Sequence, residues 1–429
     1  MKKPLPLRLL RALAFALAIP AAFLAIASLP WRGVPASPPP SVEVRKLCQG
    51  PLRAGVGEAR FEVPDGAPIA GFPKLDWRST PPAGPVGARA LVLEAGACRV
   101  ALVSAEILVV PRPLAEAVRA RVADLALDGL LAGATHTHAG PGGYWDDEVA
   151  QVVGLGPYHA AMAERIADGM ARAVRAAAGA LEPARAGARV VPAEELVRGR
   201  GGGMKEGRLT LVRVARPDGA PLAEVAVLGS HATLLGSHNR TIDGDWPGRF
   251  LQQGDHGKRL FFQGALGDQS AETAQPGRPD AATYALAVSA AAAVEVPLGP
   301  PSATALGYAR VRVALPPLGP GAVPGWLRPA LRTLFGGRVP LTATVEVVRL
   351  GPAILVGVPA EPVAAVAVKW RAQAGDDATI VSLAGDYVGY AETPERWKRG
   401  KGETMRTYLG PELGDRLGEG VAAAVAAVR

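Results

Sequence analysis

The sequence has little cysteine, little histidine and few aromatic residues. Two cysteines in 429 residues are too few for a zinc knuckle or for a small fold held together by disulfides. Lysine and arginine outnumber the acidic residues by 47 to 39, but they never form the basic run that follows a phosphate backbone. The sequence therefore argues against nucleic-acid binding. Because only six histidines are present, any cluster of them is informative.

The first 32 residues differ in kind from the rest of the chain. Four basic residues precede an uncharged apolar run over residues 12–30, which predicts either a cleaved signal peptide or a retained membrane anchor. We therefore expect an exported protein, periplasmic or extracellular, that is secreted or anchored by this segment. Residues 33–47 are predicted to be a proline-rich linker, and residues 48–429 one large domain. Outside the cytoplasm Cys48 and Cys98 could form a disulfide or remain two separate thiols.

Apolar runs alternate with helical patterns through the large domain. Residues 100–110 and 130–135 are typical of buried strands, and residues 114–127 between them are typical of a helix. This βαβ pattern predicts an α/β fold with a mixed, largely parallel sheet or sheets flanked by helices, and with the site at the carboxyl ends of the strands. Residues 315–340 carry Trp326 and Phe335 in a stretch rich in proline and glycine, which is either a packed loop or an amphipathic lid that touches lipid.

Side chains able to bind metal or transfer protons follow five of the apolar runs. They are His136 with His138, His231, Asp268 with Ser270, Glu361, and Tyr390. Since ligands of open α/β sheets lie beyond the carboxyl ends of strands, this convergence predicts one shared site. Imidazole and carboxylate donors suit Zn²⁺, which lowers the pKa of a bound water to about 7.

The same residues resemble the motifs of a known family. Residues 135–144 read Thr-His-Thr-His-Ala-Gly-Pro-Gly-Gly-Tyr and closely resemble the Thr-His-Thr-His-Ser-Gly-Pro-Gly-Gly signature of the neutral, non-lysosomal ceramidases. The stretches around His231, Ser270, Glu361 and Tyr390 are similar to further family motifs in the same order. The resemblance extends from Gly55 to Pro411 and implies a ceramidase-like catalytic domain over residues 48–429.

The resemblance implies a zinc-dependent hydrolase of the amide bond of ceramide or a related N-acyl lipid, acting at a membrane surface. One Zn²⁺ would be held by His136, His231, Glu361 and Tyr390. The implied catalytic residues are Ser270, His138, Arg200 and Asp268. Among these, His138 would move a proton beside the metal-activated water, and the essential Ser270 would either attack or position the substrate. Arg200 would bind the substrate region, with Arg198 as the rival for that role.

Three features depart from the family pattern. The family's second tyrosine is expected near Gly402, where residues 398–402 of this chain read Lys-Arg-Gly-Lys-Gly. Ala271-Glu272 stands where Pro-Asn is usual. Longer family members also carry a small β domain beyond the position of Arg429. Two alternatives therefore stay open: an exported zinc hydrolase of a non-lipid amide or ester, and a non-catalytic, membrane-tethered lipid-binding homologue.

Overall fold

The computed structural model describes residues 38–81, 83–254, 256–272, 280–300, 303–321, 323–328, 331 and 339–429. The predicted signal or anchor segment, residues 1–32, lies outside these ranges. The side chains of Trp326 and Phe335, on which the predicted lid depends, also lie outside the described part of the chain. Within that part, no helix combines the length and the apolar character needed to cross a membrane.

Two β-sheets form the centre of the fold, and two short two-stranded ribbons accompany them. The larger sheet has eight strands in the order β10-β9-β8-β6-β2-β3-β4-β5, the smaller has five in the order β1-β12-β13-β14-β16, and the ribbons are β11-β7 and β15-β17. The strands are β1 (Ser41–Gly50), β2 (Leu52–Arg60), β3 (Gly87–Ala95), β4 (Cys98–Ala105), β5 (Gly129–Ala134), β6 (Glu182–Pro192), β7 (Val197–Gly199), β8 (Arg208–Ala215), β9 (Pro221–Leu228), β10 (Lys258–Gln263), β11 (Gln269–Ala271), β12 (Thr304–Ala314), β13 (Thr342–Leu350), β14 (Ala353–Gly357), β15 (Glu361–Pro362), β16 (Ala378–Val381) and β17 (Tyr390–Ala391).

Helices cover the outer faces of both sheets. They are α1 (Arg112–Arg121), α2 (Glu148–Ala150), α3 (Ala160–Gly179), α4 (Asp245–Leu251), α5 (Ala281–Ala292), α6 (Ala364–Ala374), α7 (Pro394–Lys398) and α8 (Leu413–Val428). One hydrophobic core lies between the sheets, and others lie beneath the helices. Strand β5 is buried at every position. Because a strand covered on both sides is apolar on both faces, β5 consists of glycine, leucine and alanine alone.

The prediction of a mixed α/β fold is confirmed, but its largely parallel character is wrong. Within the two large sheets, three pairs are parallel, β4 with β5, β9 with β10, and β14 with β16, and the other pairings are antiparallel. Each parallel pair has a helix in its crossover: α1, α4 and α6, respectively. The predicted βαβ unit over residues 100–135 is therefore present. The apolar pattern of a doubly covered strand does not encode its direction, so the antiparallel pairs could not be recognised.

The predicted linker over residues 33–47 also needs correction at its end. Residues from Ser41 onward form β1, which pairs with β12 along the edge of the smaller sheet. Most side chains of β1 are exposed, so the strand lacks the apolar run by which the others were recognised. The position of β1 depends instead on backbone hydrogen bonds to β12.

Cys48 and Cys98 form a disulfide, with the two sulfur atoms 2.01 Å apart. The first lies in β1 of the smaller sheet and the second begins β4 of the larger sheet, so the bond joins the two sheets. It closes a loop between residues 50 positions apart. A disulfide of this kind is typical of oxidising compartments.

Replacing both cysteines by alanine is expected to destabilise the protein by about 4 kcal/mol, because the unfolded chain regains the entropy of an open loop. Urea unfolding of the wild type and of the double variant Cys48→Ala/Cys98→Ala measures the difference. Reductant should destabilise the wild type and leave the variant unchanged. Equal free energies of unfolding would show that the bond does not stabilise the fold.

Candidate metal centre

Four strand ends meet at one buried cluster of side chains. His136 follows β5, His231 follows β9, Glu361 begins β15 just after β14, and Tyr390 begins β17. The larger sheet curls until its edge strands β5 and β10 meet: the side-chain amide of Gln263, at the end of β10, donates to the Thr135 carbonyl, 2.9 Å away. This curl brings His136 and His231 together, although six strands lie between the two edge strands of the sheet.

His136 and His231 both present an unprotonated Nε2 atom to the centre of the cluster. His136 Nδ1 lies 2.8 Å from the Leu108 carbonyl oxygen, and His231 Nδ1 lies 2.8 Å from the Gln269 carbonyl oxygen. A carbonyl only accepts, so each Nδ1 carries the proton and each Nε2 keeps its lone pair. Backbone acceptors of this kind commonly orient histidines that bind metal.

Glu361 supplies an oxygen with no partner between these two nitrogens. Its Oε2 atom lies 3.5 Å from His136 Nε2 and 3.3 Å from His231 Nε2, and it makes no hydrogen bond to any described residue. The other oxygen, Oε1, accepts from the Tyr387 hydroxyl, 2.8 Å away. Strands β15 and β17 pair Glu361 with Tyr390, whose hydroxyl lies 3.1 Å from His231 Nε2. The cluster therefore directs several electron pairs toward one point.

Burial sets the protonation of the cluster. It lowers the pKa of His136, and together with the Arg200 guanidinium it lowers the pKa of His231 to about 4. Burial acts to raise the pKa of Glu361, but His136 and His231 outweigh it and hold the pKa below its usual range. The pKa of Tyr390 is raised well above its usual value by burial. At neutral pH the site thus carries neutral imidazoles, a neutral phenol and one negative carboxylate.

His138 lies in the same cluster but is held differently. Its Nε2 is 3.1 Å from His136 Nε2, and burial lowers its pKa well below the usual value. The Nδ1 atom of His138 is buried without a hydrogen-bond partner among the described residues, and because His136 Nε2 is unprotonated, the 3.1 Å contact places the His138 proton on Nε2. The ring stacks edge-on against Phe72, with centroids 5.3 Å apart. The Nδ1 atom of His138 therefore keeps an electron pair, whereas the Nδ1 atoms of His136 and His231 donate to backbone carbonyls.

The residues present fit a divalent metal ion. Ring nitrogens of His136, His138 and His231 lie within 4.8 Å of one another, and this group could hold a metal ion. Neutral imidazole and carboxylate are the donors that Zn²⁺ prefers. The unpartnered Oε2 atom of Glu361 is the strongest sign that this site binds a cation, because a buried carboxylate oxygen without a partner is costly.

Of the two arginines considered from sequence, Arg200 reaches the cluster. Its Nη2 atom lies 3.4 Å from His231 Nε2 and 3.2 Å from the Glu403 carboxylate, and it also donates to the Gly267 carbonyl. Arg198 is exposed on β7. Asp268 does not join the cluster: one oxygen accepts from the backbone N–H of Ala364, 2.9 Å away, and the other lies 3.4 Å from Arg396. Its contacts support neighbouring segments.

Ser270 lies beside the cluster and is half-buried. It pairs with Arg198 in the β7–β11 ribbon and forms a β-bridge to His231. In the described part of the chain, the ring nitrogens of the three clustered histidines hydrogen-bond to backbone carbonyls, Tyr390, Arg200 or one another, and none to Ser270. A nucleophilic serine needs such a base, so this geometry favours a positioning role for Ser270.

Gln263 is a supporting residue that sequence reasoning missed. Its side chain is fully buried and hydrogen-bonds both histidine-bearing segments, donating to the carbonyls of Thr135 and Ser230 at 2.9 and 2.8 Å. It also accepts from the Ser230 N–H. His136 adopts a positive φ of 64°, a conformation that surrounding contacts must maintain. The sequence feature that could have identified Gln263 is its position as a polar residue at the end of an apolar strand.

The fold and this centre define a mixed α/β protein with a buried histidine–glutamate site. In fold it is similar to the neutral ceramidase from Pseudomonas aeruginosa, with a TM-score of 0.74 and 18% identity over 88% of this chain and 74% of that one. A ceramidase complexed with C2 gives a TM-score of 0.70 and 18% identity, over 88% and 75% of the two chains. The chain thus has the neutral ceramidase fold, as its motifs predict. No protein-family model and no curated protein matches the sequence.

Proposed function

We propose that this protein hydrolyses the amide bond of ceramide or a related N-acyl lipid, with one Zn²⁺ bound by His136, His231, Glu361 and Tyr390. The observation that carries the proposal is the unpartnered Glu361 oxygen between two imidazoles whose lone pairs are fixed by backbone acceptors. Similarity in fold to a neutral ceramidase supports the choice of substrate. A bound zinc ion supplies Lewis-acid polarisation of a carbonyl and nucleophilic water at neutral pH.

The protein's own residues orient the substrate and move the proton. His138 takes a proton from the attacking water and passes it to the leaving amine, since its Nδ1 atom makes no hydrogen bond to any described residue. Arg200 presents a guanidinium beside His231, where it stabilises negative charge that develops on the substrate's carbonyl oxygen. Ser270 positions the substrate next to His231, and Asp268 holds the segment that carries it.

Metal analysis and a hydrolysis assay test this function directly. Residues 38–429 are purified, and zinc content is measured before incubation with a fluorescent short-chain ceramide, with and without a chelator. We expect about one zinc per chain and release of fatty acid that stops when the ion is removed. Protein without zinc would contradict the mechanism, and zinc without turnover of ceramide would indicate a non-lipid amide or ester.

A short apolar surface beside the centre supports action at a lipid surface. Val149, Val152 and Val153, here called the valine rim, are about half exposed at 57%, 55% and 47%. The N–H of Gly71 donates to the carbonyl of Gly154 directly after the rim, 2.7 Å away. Gly71 in turn packs so closely on His138 that an added Cβ would lie 2.5 Å from the histidine Cα. Two contacts, from Gly154 to Gly71 and from Gly71 to His138, therefore connect the end of the rim segment to the proposed proton carrier.

Exchanging Val152 and Val153 for serine is expected to lower hydrolysis of ceramide in vesicles by about tenfold, since each valine loses burial in the apolar phase. Hydrolysis of a soluble short-chain analogue should not change. Val190→Ser, at an exposed position of β6 (41%), is the matched control. Equal rates of the rim variant and the wild type on vesicles would show that the rim does not contact lipid.

An exported location is part of the proposal. The disulfide between Cys48 and Cys98 supports it, since such bonds persist in oxidising compartments. Fractionation of cells expressing the full chain, followed by detection of the protein in the exported or the cytoplasmic fraction, tests it.

A further inference from the structure

Glu403 is a buried acid that contacts the candidate centre through Arg200. It is 6% exposed and lies in the segment where this chain departs from the family pattern. Its Oε1 atom is 3.2 Å from Arg200 Nη2, the same nitrogen that lies 3.4 Å from His231 Nε2. A chain of contacts therefore runs from the Glu403 carboxylate, through one guanidinium, to an imidazole of the centre.

The position of Glu403 is itself fixed. Its backbone N–H donates to the buried Glu392 carboxylate, 2.9 Å away, and its second carboxylate oxygen pairs with Arg406, 2.5 Å away. Arg406 is 56% exposed, whereas Arg200 is only 28% exposed. Solvent therefore screens the Arg406 pair more than the Arg200 pair. Arg406 lies over the Tyr390 ring, 5.7 Å from its centroid, whereas Arg200 contacts an imidazole of the centre directly, so the Arg200–Glu403 pair acts on the centre at shorter range.

Without Glu403, the positive charge of Arg200 would weaken binding of a metal ion at the centre. Arg200 donates toward the His231 lone pair, the electron pair that a metal ion needs. A positive charge so close also repels a divalent ion, and at short distance in a partly buried site that repulsion is large. Glu403 neutralises the charge, and together with the Gly267 carbonyl it directs the guanidinium.

We propose that Glu403 is a positioning residue: it holds and neutralises Arg200, so that the guanidinium faces the substrate without competing with the metal ion for His231. The inference rests on the proposed function of the centre. Glu403 does not touch the reacting atoms. It acts on metal affinity and on substrate orientation through Arg200.

Zinc affinity of the metal-stripped full chain, measured by competition with a chromogenic chelator, tests the inference without substrate. Glu403→Gln is expected to weaken zinc binding about tenfold or more, in the range known for groups that support metal ligands. Arg200→Gln should instead strengthen zinc binding, since it removes the positive charge and leaves the negative carboxylate of Glu403 uncompensated. The loss caused by Glu403→Gln should shrink in the Arg200→Gln background, because the two residues act as a coupled pair.

Two further variants separate positioning from a general structural role. Glu403→Asp keeps the charge and should recover part of the zinc affinity, and Glu395→Gln removes the same charge from an exposed position of α7 and should change nothing. Wild-type affinity in Glu403→Gln would overturn the inference, as would an equal loss in both backgrounds. A wild type that binds no zinc would overturn the proposed function as well, whereas zinc-bound, active wild type leaves that function standing.

Discussion

Replacing Glu361 with glutamine is expected to abolish zinc binding and with it hydrolysis. The substitution keeps the size of the side chain but removes the negative charge that lies between His136 Nε2 and His231 Nε2. Loss of a group that only supports a metal ligand lowers affinity by about 10- to 100-fold. We expect loss of the ligand itself to lower zinc affinity by more than that. Elemental analysis of purified protein and chelator competition measure the effect.

The same substitution should not harm the metal-free fold. In the wild type the Oε2 atom of Glu361 is buried without a hydrogen-bond partner, whereas a glutamine amide can donate to the imidazole lone pairs. The unfolding temperature of the metal-free variant should therefore equal or exceed that of the metal-free wild type. Glu361→Gln protein that still binds zinc with wild-type affinity would contradict the assignment of this carboxylate as a ligand.

Replacing His138 with glutamine is expected to leave zinc in place and to lower kcat by about 10²- to 10⁴-fold, the usual contribution of a positioned proton donor or acceptor. The reason is the difference between the histidines: His136 and His231 have Nδ1 fixed by backbone carbonyls, while His138 Nδ1 has no partner. Steady-state kinetics and zinc content of the same preparation measure the two effects.

His159→Gln is the matched control, because His159 is exposed just before α3 and lies outside the cluster. Its kcat and zinc content should equal those of the wild type. Loss of zinc in His138→Gln would instead identify His138 as a third imidazole ligand, which its distance of 3.1 Å from His136 Nε2 also permits. Unchanged kcat would exclude both roles.

The residue types of the centre could be predicted from the sequence because each follows an apolar run. His136, His231, Glu361 and Tyr390 lie at strand ends, and carboxyl ends of parallel strands are where such folds place ligands. The strands concerned are among the few parallel ones in the molecule. Local pattern and motif order were therefore sufficient to name these residues and the general fold.

The supporting contacts could not be predicted, since they join segments distant in the chain. Arg200 pairs with Glu403, 203 positions later, and Gln263 connects Thr135 with Ser230. No periodicity or spacing encodes such contacts. The same holds for β1, whose mostly exposed side chains gave no apolar pattern and whose position depends on pairing with β12.

The sequence by itself determined the scarcity of histidine, the order of the motifs, and the alternation of helices and strands with metal-binding side chains at the strand ends. Only the tertiary structure decided which direction the strands run, that Cys48 meets Cys98, that Asp268 lies outside the cluster and that Arg200 rather than Arg198 reaches it. The physical reason is that apolar patterning specifies which residues are buried, whereas the curl of the larger sheet and the facing of the two sheets specify which buried residues meet.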